Sequence, residues 1–191
     1  MLLVVAAVLL SFRSLVTAGC PGVVSRQAWD ALSPMHVQYL TRPVNIVIIQ
    51  HTVSEGCYTD QTCEGIMRAI QNYYMDDLKY WDTGSSFYVG GNGKIYEGTG
   101  WMYVGAHTYG YNSKSIGISF IGNYNSMEPT TAQLEAVKDL LRCGVQQGHL
   151  TQDHVVVGHK QLISTESPGR KLYNVIRRWP EWVEDVSFLK T

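Results

Sequence analysis

Val44-Asn45-Ile46-Val47-Ile48-Ile49 is a run of mostly β-branched residues directly after Pro43, and it closes on Gln50-His51-Thr52. Apolar side chains at both odd and even positions predict a strand covered on both faces, inside a sheet rather than at its edge. Downstream, Phe87-Tyr88-Val89 and Lys94-Ile95-Tyr96 flank Gly90-Gly91-Asn92-Gly93. This is a hairpin pattern, because Asn-Gly supplies the positive φ of a tight turn. Lys94 leads into Ile95 and a strand rather than a helix N-terminus, so the glycines form a turn and not a phosphate loop. Ile116, Ile118 and Phe120 alternate with small residues, and Val155-Val156-Val157 reads as a further strand.

Between these runs the period changes. From Asp60 to Met75, Ile66, Ile70 and either Tyr73 or Tyr74 recur at helical spacing. Thr130 and Gln133 form a capping-box pattern, Leu134, Val137 and Leu141 make a buried stripe, and Gly148 is placed to end the helix. A last helix is expected from Leu172 to Trp179, stopped by Pro180. Strands and helices interleave without repeats or long linkers, which predicts one α/β domain with a central sheet covered by helices.

The N-terminus carries Leu2-Leu3-Val4-Val5-Ala6-Ala7-Val8-Leu9-Leu10 and ends in Val16-Thr17-Ala18-Gly19. That pattern predicts a signal peptide over 1–18, cleaved after Ala18, and a single mature domain over 19–191. Its apolar core falls short of the roughly 20 residues a membrane span needs. The expected product is secreted and extracellular, with no membrane association. The 15 Lys and Arg against 16 Asp and Glu, with no basic run, exclude a typical nucleic-acid binder. There is no Asn-x-Ser/Thr sequon. Four cysteines in a secreted chain predict two disulfides, with three possible connectivities. Cys57 with Cys63 is the simplest pair and leaves Cys20 with Cys143. The absence of any Cys-x-x-Cys pair argues against a structural zinc site.

Six segments in order carry a resemblance: Val47-Ile48-Ile49-Gln50-His51-Thr52, Tyr96-Glu97-Gly98-Thr99-Gly100-Trp101, Gly105-Ala106-His107, Ser115 to Asn123, Gly158-His159 and Ser167-Pro168-Gly169. Together they resemble the peptidoglycan recognition proteins, from roughly Val23 to Trp182. The resemblance implies a mixed β-sheet with flanking helices and a groove on one face, a fold shared with amidase-type phage lysozymes. Catalytic members hold zinc with two histidines and a cysteine, and a tyrosine stands nearby. By motif register those positions are Gln50, His159, Ser167 and Ser85. A neutral amide oxygen and a serine hydroxyl are poor zinc ligands beside imidazole and thiolate. His51 cannot replace Gln50, because successive strand residues point to opposite faces. The expectation is therefore no zinc, no other cofactor and no amidase turnover, with His159 acting as a hydrogen-bonding histidine.

What the resemblance leaves is a binding groove at His51, Tyr74, Leu78, Lys79, Tyr80, Thr99, Gly100, Trp101 and His107. For Trp101 and Tyr74 a buried packing role competes with the groove role. The implied partner is bacterial peptidoglycan, and the implied output is an innate-immune protease cascade of the Toll or prophenoloxidase kind, through signalling proteins or serine proteases. Thr99 stands where members that prefer the diaminopimelate form commonly carry arginine. Lys79-Tyr80 matches neither Asn-Phe, which tends to mark lysine-type recognition, nor Gly-Trp, which tends to mark the diaminopimelate type. Lys79 could itself supply a cation for the extra carboxylate, but the balance tips slightly toward lysine-type peptidoglycan. A residual amidase is the rival reading, and a directly bactericidal protein is a third.

Overall fold

The computed structural model describes residues 19–190. The expected signal peptide over 1–18 lies outside the described residues. Six strands form one mixed sheet: β1 (Val23–Val24), β2 (Val44–His51), β3 (Phe87–Val89), β4 (Ile95–Glu97), β5 (Ile116–Phe120) and β6 (Leu150–Gly158). Their order is β1-β4-β3-β5-β2-β6. Only the β3–β4 hairpin is antiparallel, and the other four pairings are parallel. The β2 run has a hydrogen-bonded neighbour on each side, as its two-sided apolar pattern predicts. The described residues also form three α-helices: α1 (Asp60–Asn72), α2 (Thr131–Gln146) and α3 (Arg170–Ile176).

The two faces of the sheet are covered differently. On one, Val47, Ile49, Ile116, Ile118, Phe120 and Val156 pack with Val137, Leu140 and Leu141 of α2 and with Leu172 and Ile176 of α3. On the other, Tyr88 and Tyr96 pack with Met67 of α1 and with Trp29, while Ile46, Ile48 and Val157 pack with Tyr111, Leu162, Val186 and Leu189. Between those two apolar clusters lie Gly117, Ser119 and Gln50, whose register across β5 and β2 leaves a polar strip.

Thr130 caps α2 as its sequence predicts, with reciprocal bonds to Gln133, and Gly148 follows the helix at φ 71°. Helix α1 opens on a Thr59–Thr62 capping box and passes into a π-helical turn at Tyr73–Asp77. The disulfides join Cys20 to Cys143 and Cys57 to Cys63. The first ties the segment before β1 to α2, and the second staples the loop that enters α1. The chain-entropy treatment gives roughly 2 kcal/mol for the short loop and about 5 for the long one. Among the described residues no helix is long and apolar enough to cross a membrane.

Candidate binding cleft

Parallel strands end together, and the loops that leave their carboxyl ends commonly make a binding crevice. Here that edge gathers Gln50 and His51 from β2 and His159 just after β6. Ser167 lies in the loop before α3, while Ser85 comes from the amino end of β3 and meets the strip through its bond to Ser119. Strand alternation separates the first two. Gln50 points to the face that carries Ser119, its partner in β5. His51 turns the other way, and its Nδ1 accepts the Tyr124 N–H at 3.1 Å.

Gln50 is buried, and its Nε2 donates to Thr108 Oγ1 at 2.9 Å and to the His107 carbonyl at 3.2 Å. The loop it holds is braced a second time, because Asn112 Oδ1 accepts the N–H of both His107 and Thr108. The His107 ring lies flat on β5 over Gly117, where any added Cβ would come within 2.5 Å of its Cγ, so only glycine fits there. Ser85 and Ser119 bond hydroxyl to hydroxyl at 2.7 Å. Ser167 Oγ accepts the His51 N–H at 3.2 Å.

Burial pushes His107 down to about 3, assisted by the neighbouring His159. Burial likewise brings His159 down to about 4, with a smaller contribution from His51. Burial also lowers His51, against the opposing pull of the Glu166 carboxylate. All three imidazoles are neutral at pH 7. Six buried side-chain atoms have no hydrogen-bond partner among the described residues, and four of them lie here: Thr99 Oγ1, His107 Nε2, and both ring nitrogens of His159. Buried polar atoms are almost always satisfied, so four in one region point to an exogenous partner.

The donor set does not fit a zinc ion. Gln50 would offer only a neutral amide oxygen and Ser167 a hydroxyl, which leaves one imidazole of the three-ligand pattern. Among the described residues, no three His, Cys, Asp or Glu side chains stand close enough to hold a metal ion.

Beside this strip opens a cleft of about 660 Å³. Lys79, Tyr80 and Thr99 line it, and Ala106 carries it to His107. Tyr74 lies behind the lip, its ring against Gly84 and 5.5 Å from the Tyr80 ring. Tyr73, the other candidate for the buried side, is exposed. Leu78 is exposed on the same turn. Gly100, at φ 68°, approaches the Glu97 carboxylate outside the cleft lining.

Trp101 requires a correction. Its ring packs on Phe87 at 4.6 Å and stacks on His149 at 4.9 Å, joined to the core cluster on the α2 side of the sheet. It is a packing residue and presents no face to the cleft.

Several contributors carry no local signal in the sequence. His36, Val37 and Gln38 form one wall of the cleft, held by the Val104 N–H bonding to the Gln38 carbonyl at 2.8 Å. The loop preceding β3 rests on Asp82, which accepts from Gln71 at 2.8 Å and pairs with Arg26 at 2.9 Å. Arg26 also donates to the Gly98 carbonyl at 2.6 Å, so one guanidinium ties the N-terminal segment to both loops beneath the cleft. These partners lie 56 and 72 residues from Arg26, and only the fold brings them together.

Residues 40–170 match the family model described as N-acetylmuramoyl-L-alanine amidase. A peptidoglycan recognition protein of Trichoplusia ni is 61% identical over 176 residues, covering 92% of this chain and 97% of that protein. The solved Manduca sexta peptidoglycan recognition protein 1 superposes with a TM-score of 0.85 at 59% identity, over 88% of this chain and 97% of that one. The human protein PGRP-Iβ C, solved in complex with a glycosamyl muramyl pentapeptide, has a TM-score of 0.83 at 41% identity, over 86% of this chain and 99% of that one. The family model covers most of the chain, and relatives about 60% identical match it over nearly its full length: the chain belongs to the peptidoglycan recognition proteins.

Proposed function

We propose that this protein is a secreted receptor that holds the stem peptide of bacterial peptidoglycan in the cleft and does not cut it. The observation that carries this reading is the set of buried, unpartnered atoms at Thr99, His107 and His159 beside a donor set unsuited to zinc. Such atoms gain most from a ligand rich in amides and carboxylates, and the muropeptide bound by the human relative is of that chemistry. Tyr80 supplies an aromatic wall, and Lys79 is the cation at the lip. Thr99 offers a hydroxyl rather than a guanidinium, which supports lysine-type peptidoglycan as the preferred form. The output we assign is recruitment of an extracellular serine-protease cascade, as family membership suggests.

The test is a pull-down on lysine-type and diaminopimelate-type peptidoglycan, with and without chelator, while soluble stem peptides are monitored. Saturable binding that chelator leaves unchanged, with no peptide released, is the expected result. Stoichiometric zinc with chelator-sensitive release would establish an amidase instead. Failure to bind either polymer would end the receptor reading.

A further inference from the structure

Charge is distributed unevenly along this nearly neutral chain. From Gly158 to Trp179 there are five cations and one carboxylate, in a protein whose net charge is −1. Structure concentrates them further. Arg170, Tyr173 and Arg177 fall at i, i+3 and i+7, on one face of α3 and its C-cap, while Leu172 and Ile176 turn into the core. Lys160 Nζ stands 4.8 Å from the Tyr173 ring centroid and Arg177 Cζ stands 5.7 Å from it. Two cations thus converge on one aromatic ring, with Arg170 a turn away.

Their neutralisation is partial. Arg177 reaches Glu184 at 3.3 Å, but among the described residues Lys160 and Arg170 pair with no carboxylate. Convergent, exposed like charges repel, and an anion placed between them removes that repulsion. The stripe runs for about 10 Å at the helical rise, which suits a repeated anion better than a single one. Arginine forks match the oxygen geometry of phosphate, and the Tyr173 ring gives polyol carbons an apolar face.

Position decides between two sources of phosphate. No large hydrophobic side chain is exposed anywhere between Gly158 and Trp182, so the patch has nothing to insert into a lipid surface. Lys160 directly follows His159 of the strand-end strip, and its N–H bonds to the Ser167 carbonyl at 2.8 Å, so the patch adjoins that strip. We infer that the Lys160–Arg170–Arg177 face is a second binding surface, for a polyol-phosphate polymer of the bacterial wall. The link between that polymer and the cleft's ligand rests on the receptor reading above.

The experiment uses four immobilised surfaces: purified poly(glycerol phosphate) free of peptidoglycan, peptidoglycan stripped of phosphodiester polymer, heparin, and vesicles containing phosphatidylglycerol. The protein is compared with its Lys160→Gln/Arg170→Gln/Arg177→Gln variant and with the charge-preserving Lys160→Arg/Arg170→Lys/Arg177→Lys variant. The expected result is salt-sensitive binding to the polymer, about tenfold weaker in the neutralised variant and largely kept in the charge-preserving one. Binding to stripped peptidoglycan stays equal in all three. Absent polymer binding, a neutralised variant that binds as well as the parent, or equal capture by heparin or vesicles would overturn the proposal. Loss of binding to stripped peptidoglycan alone would instead count against the cleft.

Discussion

Gln50 Nε2 donates to Thr108 Oγ1 across 2.9 Å, so the side chain that motif register assigns to the first ligand position of the amidase pattern works as a brace for the His107 loop. The amide nitrogen gives hydrogens to two acceptors of that loop, whereas a metal-bound imidazole has only one ring N–H left to donate. Restoring metal binding therefore needs more than one change. The Gln50→His/Ser167→Cys variant, with His159, recreates the two-histidine, one-cysteine set, and is expected to take up one zinc per chain. The parent protein is expected to take up none. Metal analysis after gel filtration, with chelator competition, measures both.

Thr99 permits a separation of stability from binding. Its buried hydroxyl lacks a partner, so Thr99→Val removes a desolvated polar atom at almost constant shape. Stability is expected to hold or rise by up to about 1 kcal/mol, while muropeptide affinity falls several-fold. Thr99→Arg should instead shift preference toward diaminopimelate-type peptidoglycan by about tenfold, through a charge-assisted pair with its extra carboxylate. Calorimetry on the two muropeptides, beside urea denaturation, checks each arm.

His107 sets the sign of an acid effect. The folded chain refuses its proton until about pH 3, whereas an unfolded histidine titrates near 6.5. Between those values the unfolded state binds more protons, so stability must fall as pH drops through that window. The loss attributable to His107 at pH 5 is about 2 kcal/mol. Denaturant midpoints at pH 7 and pH 5 should show the fall, and His107→Gln should make it shallower, the remainder belonging to His159, His51 and His149, each lowered chiefly by burial.

Trp101 belongs to the core, and its truncation should behave accordingly. Trp101→Ala is expected to cost about 3 kcal/mol through lost packing on Phe87 and His149. Peptidoglycan affinity of the remaining folded protein should be unchanged. A variant of normal stability that no longer binds would return Trp101 to the cleft.

The elements that could be read in the sequence are those with local causes. The β2 run announces its burial by composition, the hairpin by Asn92-Gly93, and α2 by Thr130 and Gln133. Strand alternation also separates Gln50 from His51 before any coordinates are known. What stayed hidden depends on distant partners. The two-residue β1 is too short to show a period, and it exists because β4 lies beside it. The Arg26–Asp82 pair and the wall at His36–Gln38 have no marker in their own neighbourhoods. Trp101 follows Gly100 in a loop, and only the packing of that loop decides which side of the sheet receives the indole. Helix α1 was legible to its last turns, where Tyr73 and Tyr74 compete for one side and the chain resolves the competition in a π-helical turn.

The strip of Gln50, Ser119 and His107 lies at the margin of the sheet, between two apolar clusters that meet their own packing needs elsewhere. Side chains there contribute chemistry and brace neighbouring loops, while the flanking clusters supply the packing of the framework. A lineage could exchange a metal ligand for an amide or a hydroxyl at this edge while the flanking apolar clusters kept the protein folded. The architecture makes catalysis a detachable trait, one that natural variation can discard or regain by a few substitutions that leave the apolar clusters of the scaffold untouched.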